Sequence, residues 1–216
     1  MVVNRRKLSK NGAYSVDKER LKAKIIEEFK TGKIRNSLFP MLSIHGIRDY
    51  SETVHSAGLN YITEIGKHIE GVTALSECPV YPINQQYGHS ITREVRPDSV
   101  WYRQQDIKPI LVSEFERFEN SKGKNDKLRE KIENLLLAYH QLGSDLPLIL
   151  FIYWSYSGAI PKSIDKYINI FDKGFTLPNG RFIPGINSFV TDYLVFQAVA
   201  SGTKKNLTIN EWIQVR

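Results

Sequence analysis

The sequence predicts an α/β domain, with a central mixed sheet flanked by helices, and three observations carry the prediction. Pro147–Tyr153 reads PLILFIY, an apolar run of strand length bounded by turn residues. A strand with no polar side is buried on both faces, so helices must cover the sheet. Just before it, Leu128, Ile132, Leu135, Leu136, Tyr139 and Leu142 recur at helical spacing, with Asp126 placed to cap the start and Gly143 the end. Ahead of that helix lie two strand candidates, Val95–Arg103 and Pro109–Arg117, joined by Gln104–Lys108.

The remaining elements follow in chain order. Residues 1–14 read as a polar, basic tail. Ser15 and Asp17 are caps for a helix whose stripe is Leu21, Ile25 and Phe29, and Gly32 ends it. Pro40 and Gly46 break an ambiguous stretch from Ile34 to Tyr50. A second helix is expected from about Ser51 to Ile69, with Val54, Ile62, Ile65 and Ile69 on one side and Gly71 as its stop. Val72–Val80 alternates as a first strand, and Gln85–Ser90 forms a polar turn. After the apolar strand, Ser163–Phe171 reads as a helix, and Pro178-Asn179-Gly180 marks a hairpin within Phe175–Pro184. Phe189–Ala200 is expected to be helical, and Asn206–Val215 has no assignable type.

Composition narrows the class. With 41% hydrophobic and 11% aromatic residues, the chain can build a core. Cys78 is the single cysteine, which excludes an intramolecular disulfide framework and a thiolate metal cluster and fits a reducing cytoplasm. No apolar run reaches membrane-spanning length, and MVVNRRKLSKNG lacks the apolar centre of a secretory signal. The expectation is a soluble, cytoplasmic protein. Net charge is +7: residues 1–50 hold 12 Lys or Arg against 5 Asp or Glu, and the rest of the chain balances at 18 of each. A basic arm on a neutral body suits a polyanion, nucleic acid first, with a solubilising surface as the alternative.

Chemistry concentrates between Arg96 and Phe118. Asp98 opens one strand, while Glu114 and Glu116, two residues apart on the next, must point the same way. If the strands pair as a hairpin, three carboxylates share one small volume, which is costly unless a cation neutralises them. A hard divalent ion held by carboxylate oxygens is the natural partner, and phosphoryl chemistry is its common use.

The order helix, strand, strand with Asp, strand with Glu-x-Glu, helix, strand resembles the PD-(D/E)XK nuclease superfamily. Pro97-Asp98 and Glu114-Phe115-Glu116 carry the likeness, supported by the helix before Val72, the helix Lys127–Leu142 and the strand Pro147–Tyr153. The resemblance covers residues 51–154, about half the chain. It implies a restriction-endonuclease-like core, preceded by a basic arm and helix at 1–50 and followed by an α+β extension at 155–216. It further implies a Mg²⁺-dependent endonuclease, with Mn²⁺ as the substitute, that hydrolyses double-stranded DNA in a restriction, phage or mobile-element setting. Homodimers are common among such enzymes. Asp98 and Glu114 would hold the metal, and Glu116 would bind a second ion or act as general base.

The chain departs from the pattern where Glu116 stands in place of the usual lysine. Some restriction enzymes of the superfamily use Glu-x-Glu there, and the following helix offers Lys127 and Lys131, an i, i+4 pair on one face. The Gln-x-x-x-Tyr arrangement of some exonuclease branches is absent, since Tyr139 and Gln141 come in the wrong order. An additional acid on the helix before the first strand is expected at Glu64, or next at Glu70.

Plainer readings stand beside these. Glu114 and Glu116 are also what the polar face of a half-exposed strand would show, although Ile110-Leu111-Val112 argues for burial on both sides. Asp106 falls in the hairpin turn and reads as structural. His45, His55, His68, His89 and His140 have no metal-ligand spacing and read as surface or packing residues. His45 and Arg48, in the unassigned stretch, and Arg93, Arg96 and Arg103, around the first motif strand, are candidate backbone-phosphate contacts. The rival to an enzyme is a catalytically inactive nucleic-acid- or protein-binding module that keeps the fold, motivated by Glu116 replacing lysine.

Overall fold

The computed structural model describes residues 18–50, 52–81, 94–119 and 122–216. The basic tail, the Gln85–Ser90 turn, His89 and Arg93 lie outside the described residues. A six-stranded sheet in the order β1-β2-β3-β4-β7-β8 forms the centre. Its strands are β1 (Val72–Ser76), β2 (Ser99–Arg103), β3 (Lys108–Arg117), β4 (Leu148–Tyr156), β7 (Asp192–Thr203) and β8 (Asn206–Gln214); β5 (Phe175–Thr176) and β6 (Phe182–Ile183) make a separate hairpin around the Pro178-Asn179-Gly180 turn. The sheet is mixed: β1, β2 and β3 run antiparallel, β4 is parallel to β3, β7 is parallel to β4, and β8 turns back antiparallel.

Helices cover both faces, as the apolar β4 sequence requires. Leu148, Leu150, Ile152 and Trp154 face one core, packed by α1 (Lys18–Thr31), α3 (Pro40–Ser43) and α4 (Thr53–Lys67); α2 (Lys33–Leu38) packs beside them. Ile149, Phe151 and Tyr153 face a second core beneath α5 (Lys122–Gln141) and α6 (Ile164–Lys173). The α1 stripe of Leu21, Ile25 and Phe29 is buried, and Gly32, at φ 63°, ends that helix in the left-handed region open to glycine. No helix among the described residues is long and apolar enough to cross a membrane.

One expectation is overturned. Phe189–Ala200 does not form a helix, because its residues from Asp192 onward belong to β7, a strand between β4 and β8. Leu194, Phe196, Ala198 and Ala200 fill the α1/α4 core while Tyr193 and Val195 fill the other. An apolar run with no polar face fits a doubly buried strand as well as a helix, and sheet pairing on both edges decides it.

The directions of the chain decide which strand ends share a rim. β3, β4 and β7 end on the same side of the sheet, where β1 also ends and β2 begins. Carboxyl ends of adjacent parallel strands are where sites on open α/β sheets gather.

Candidate functional site

The register brings the acidic motif together. Ser99 pairs with Ser113, so Asp98, just before β2, stands next to Glu114. Val100 and Val112 both face the α5 core, and alternation therefore sends Asp98, Glu114 and Glu116 toward that same side. All three carboxylates are buried, with residue exposures of 5%, 1% and 3%. The backbone amide of Phe115 donates to Asp98 Oδ2 at 2.7 Å, pinning the β2 entry to the Glu-x-Glu strand.

Two lysines from α5 reach the carboxylates, one helical turn apart. Lys131 Nζ lies 2.7 Å from Glu114 Oε2, and Lys127 Nζ lies 3.3 Å from Glu116 Oε2. Glu116 Oε1 also accepts from the Arg117 amide at 3.0 Å. Asp98 and Glu114 are thus gathered around Lys131, while Glu116 turns toward Lys127 and the open cleft.

The third basic group of the site is His55. Its Nδ1 is 2.8 Å from the Phe115 carbonyl oxygen, which has no proton to give, so Nδ1 carries the hydrogen. Nε2 then faces Asp98 Oδ1 at 3.4 Å. A lone pair there would repel a carboxylate, so the contact is attractive with His55 as an imidazolium. The Asp98 hydrogen bond raises the ring's pKa, burial opposes it, and the Asp98 charge adds to the rise.

The two central carboxylates are pushed apart electrostatically. Burial drives Glu114 well above the usual carboxylate range, and the neighbouring Asp98 charge adds to the rise against the pull of Lys131. Burial also pushes Asp98 up, but the His55 hydrogen bond, Lys131 and the Phe115 amide outweigh it and hold the group below its ordinary value. Asp98 is therefore the ionised member and Glu114 the one that holds a proton more readily. For Lys131, burial alone would depress the ammonium, yet Glu114 and Asp98 keep it above the ordinary lysine value.

A cleft of about 300 Å³ opens beside this cluster, lined among others by Glu52, His55, Glu116, Arg117, Lys127 and Lys131. Its wall is fastened from a distance in sequence. Arg117 Nη1 is 2.9 Å from Asp49 Oδ1, the Tyr156 hydroxyl donates to Asp49 Oδ2 at 2.7 Å, and Arg117 also pairs with Glu119. The Arg117 guanidinium lies over the Trp154 ring, 4.9 Å from its centroid.

Other sequence candidates are placed elsewhere. Glu64 pairs with Lys67 and contacts His68, and Glu70 approaches Arg20, so neither reaches the cluster. The reason is direction. A helix followed by a short turn and a strand that runs back along it has its N-terminus, not its C-terminus, at the strand's far end. The residues α4 brings to the rim are thus His55 and its neighbour Glu52. Topology was the signal that could have found His55; no spacing motif marks it. Asp106 serves the turn, accepting from Arg103 Nε at 2.8 Å, and Arg96 pairs with Glu94 at 2.9 Å. Trp101 is core and Tyr102 half-buried.

Two carboxylates sharing one buried volume, one of them forced toward protonation, are donors that a hard divalent cation would relieve. Among the described residues no group of three or more His, Cys, Asp or Glu side chains is arranged to hold a metal ion; Lys131 and His55 supply the positive charge. Comparison with protein-family models, with curated proteins and with solved structures finds no match.

Proposed function

We propose that the chain is a metal-dependent nuclease that hydrolyses DNA phosphodiester bonds, built on a restriction-endonuclease-like core. The observation that carries the reading is the burial of Asp98 beside Glu114 at the carboxyl rim of the sheet, with Lys131 against Glu114. The order α4, β1, β2, β3, α5, β4, with β4 parallel to β3, supports it, being the order on which the resemblance to PD-(D/E)XK nucleases rests. Double-stranded DNA is the proposed substrate and the cytoplasm the proposed setting.

Asp98 and Glu114 are the oxygen ligands that would hold Mg²⁺ or Mn²⁺. Bound there, the ion supplies charge neutralisation at a phosphate oxygen and a lowered pKa for water. The protein's own groups do the rest. Lys131 Nζ, fixed by Glu114, is a cation at the position where negative charge develops on the phosphate, the task for which the family pattern uses a lysine on the strand itself. Glu116 lines the open cleft and takes the proton of the attacking water at its carboxylate. His55 holds Asp98 and the Phe115 carbonyl in place from α4.

A second reading has one observation in its favour: His55 and Lys131 already stand against Asp98 and Glu114 without a metal. A module that keeps this fold but only binds nucleic acid or protein would need nothing more. Calorimetry with Mg²⁺ or Mn²⁺, paired with a plasmid-cleavage assay, separates the two. Metal binding and cleavage by the wild type, both lost in Asp98→Ala and Glu114→Ala that remain folded, is the result expected of the nuclease. Undiminished cleavage by both variants removes these residues from the chemistry, and a wild type that neither binds metal nor cuts leaves the binding module.

A further inference from the structure

A second charged feature stands on the same rim. The segment Ile47–Asp49 pairs with the β7–β8 turn: Ile47 and Leu207 exchange backbone hydrogen bonds, both 2.8 Å, and the Asp49 amide donates to the Lys204 carbonyl at 2.8 Å. Gly46 permits this approach, at φ 75° with a Cβ that would fall 1.5 Å from Asn206 Oδ1. Alternation along the extended segment then sorts the side chains. Ile47 packs on the core and Asp49 clamps Arg117, so Arg48 between them faces solvent. Across the junction, pairing of Thr203 with Asn206 leaves Lys204 and Lys205 exposed at the tip of a tight turn.

These three cations differ from the others near the cleft. Lys127, Lys131 and Arg117 are each held by a carboxylate. Arg48, Lys204 and Lys205 have no carboxylate within ion-pair distance among the described residues, and Arg48 Nη1 instead approaches the exposed Tyr50 hydroxyl at 3.4 Å. Three uncompensated charges are thus carried on a backbone fastened by hydrogen bonds. Through Asp49 and Arg117 that backbone is joined to the residue next to Glu116.

We propose that Arg48, Lys204 and Lys205 form a phosphate-contacting platform that receives the backbone of duplex DNA and aligns it with the cleft. The proposal rests on the nuclease reading. Cations kept free of carboxylates gain most by exchanging condensed counterions of a polyanion, and a rigid mount makes such contacts set register rather than sequence. Tyr50, 64% exposed beside Arg48, adds a flat surface for sugar.

The test is binding of the full-length chain to a labelled duplex in EDTA, with the slope of log Kd against log salt measured by anisotropy. Arg48→Gln/Lys204→Gln/Lys205→Gln should reduce the slope by about 2–3, at about 0.9 per phosphate contact, and weaken binding in moderate salt about 10–100-fold. Melting temperature should not change, because all three side chains are exposed. Lys166→Gln/Lys173→Gln on α6 should leave the slope as it is. An unchanged slope in the triple variant, or an equal loss in the α6 control, overturns the platform while a wild type that still cuts DNA keeps the nuclease reading. A wild type that does not bind DNA overturns both.

Discussion

Lys131 Nζ sits 2.7 Å from Glu114 Oε2, although the two residues come from a helix and a strand separated by 17 positions. On the proposed nuclease reading, Glu116 stands on β3 where a lysine would be expected, and α5 brings an ammonium to Glu114 instead. The helix can do this because Lys127 and Lys131 are one turn apart and α5 packs directly on β3.

Replacing that lysine should therefore cost chemistry more than structure. Lys131→Met is expected to lower the single-turnover cleavage rate about 10²–10⁴-fold at saturating Mg²⁺. Lys127→Met, whose side chain is half exposed and faces Glu116, should cost about 10-fold or less. Equal losses in the two variants would place the essential cation elsewhere.

Glu114 should be a liability in the metal-free protein. Its folded pKa is raised, mainly by burial, so the folded state holds a proton that the unfolded chain has lost once pH exceeds the ordinary carboxylate value. Stability must then fall as pH rises from about 4.5 through the folded pKa of Glu114. His55, also raised, acts in the same direction: its contribution is present below about 6.5 and is lost as pH climbs through its folded value. Glu114→Gln removes the first of these losses. Its Tm in EDTA at neutral pH should exceed the wild type by about 2–4 °C, equivalent to about 1 kcal/mol, while cleavage is abolished. Thermal scans at several pH values check this, and a lower Tm for the variant throughout would refute it.

Gly58 is a point where α4 touches β3. A Cβ there would lie 2.2 Å from the Phe115 ring, and Phe115 supplies both the amide that holds Asp98 and the carbonyl that holds His55. Gly58→Ala gains about 1 kcal/mol of helix propensity but forces overpacking that costs about 1–3 kcal/mol. The expected outcome is a small net loss of stability in urea titration together with a much larger fall in cleavage rate. A variant with full activity would show that Phe115 does not position the site.

Much of this was legible before folding. The apolar PLILFIY run announced a strand buried on both faces, the α5 stripe announced its helix, and the spacing of Glu114 and Glu116 placed both on one side of β3. The Phe189–Ala200 stretch was not legible, because periodicity cannot separate a doubly buried strand from a buried helix when apolar residues fall on every face. Glu64 lies at the end of its helix away from the cluster for a related cause: which end of α4 meets β3 depends on the direction of β1, which no local pattern encodes.

By itself the sequence determined the elements from α4 to β4, their order and the acidic residues between Arg96 and Phe118, since these follow from local periodicity and residue type. Only the tertiary structure decided who meets whom. Register set Asp98 beside Glu114, helix packing delivered Lys131, and the antiparallel course of α4 and β1 brought His55 to the rim. Contacts between distant residues depend on strand direction and pairing, and those are settled when whole faces are buried together rather than along any one segment.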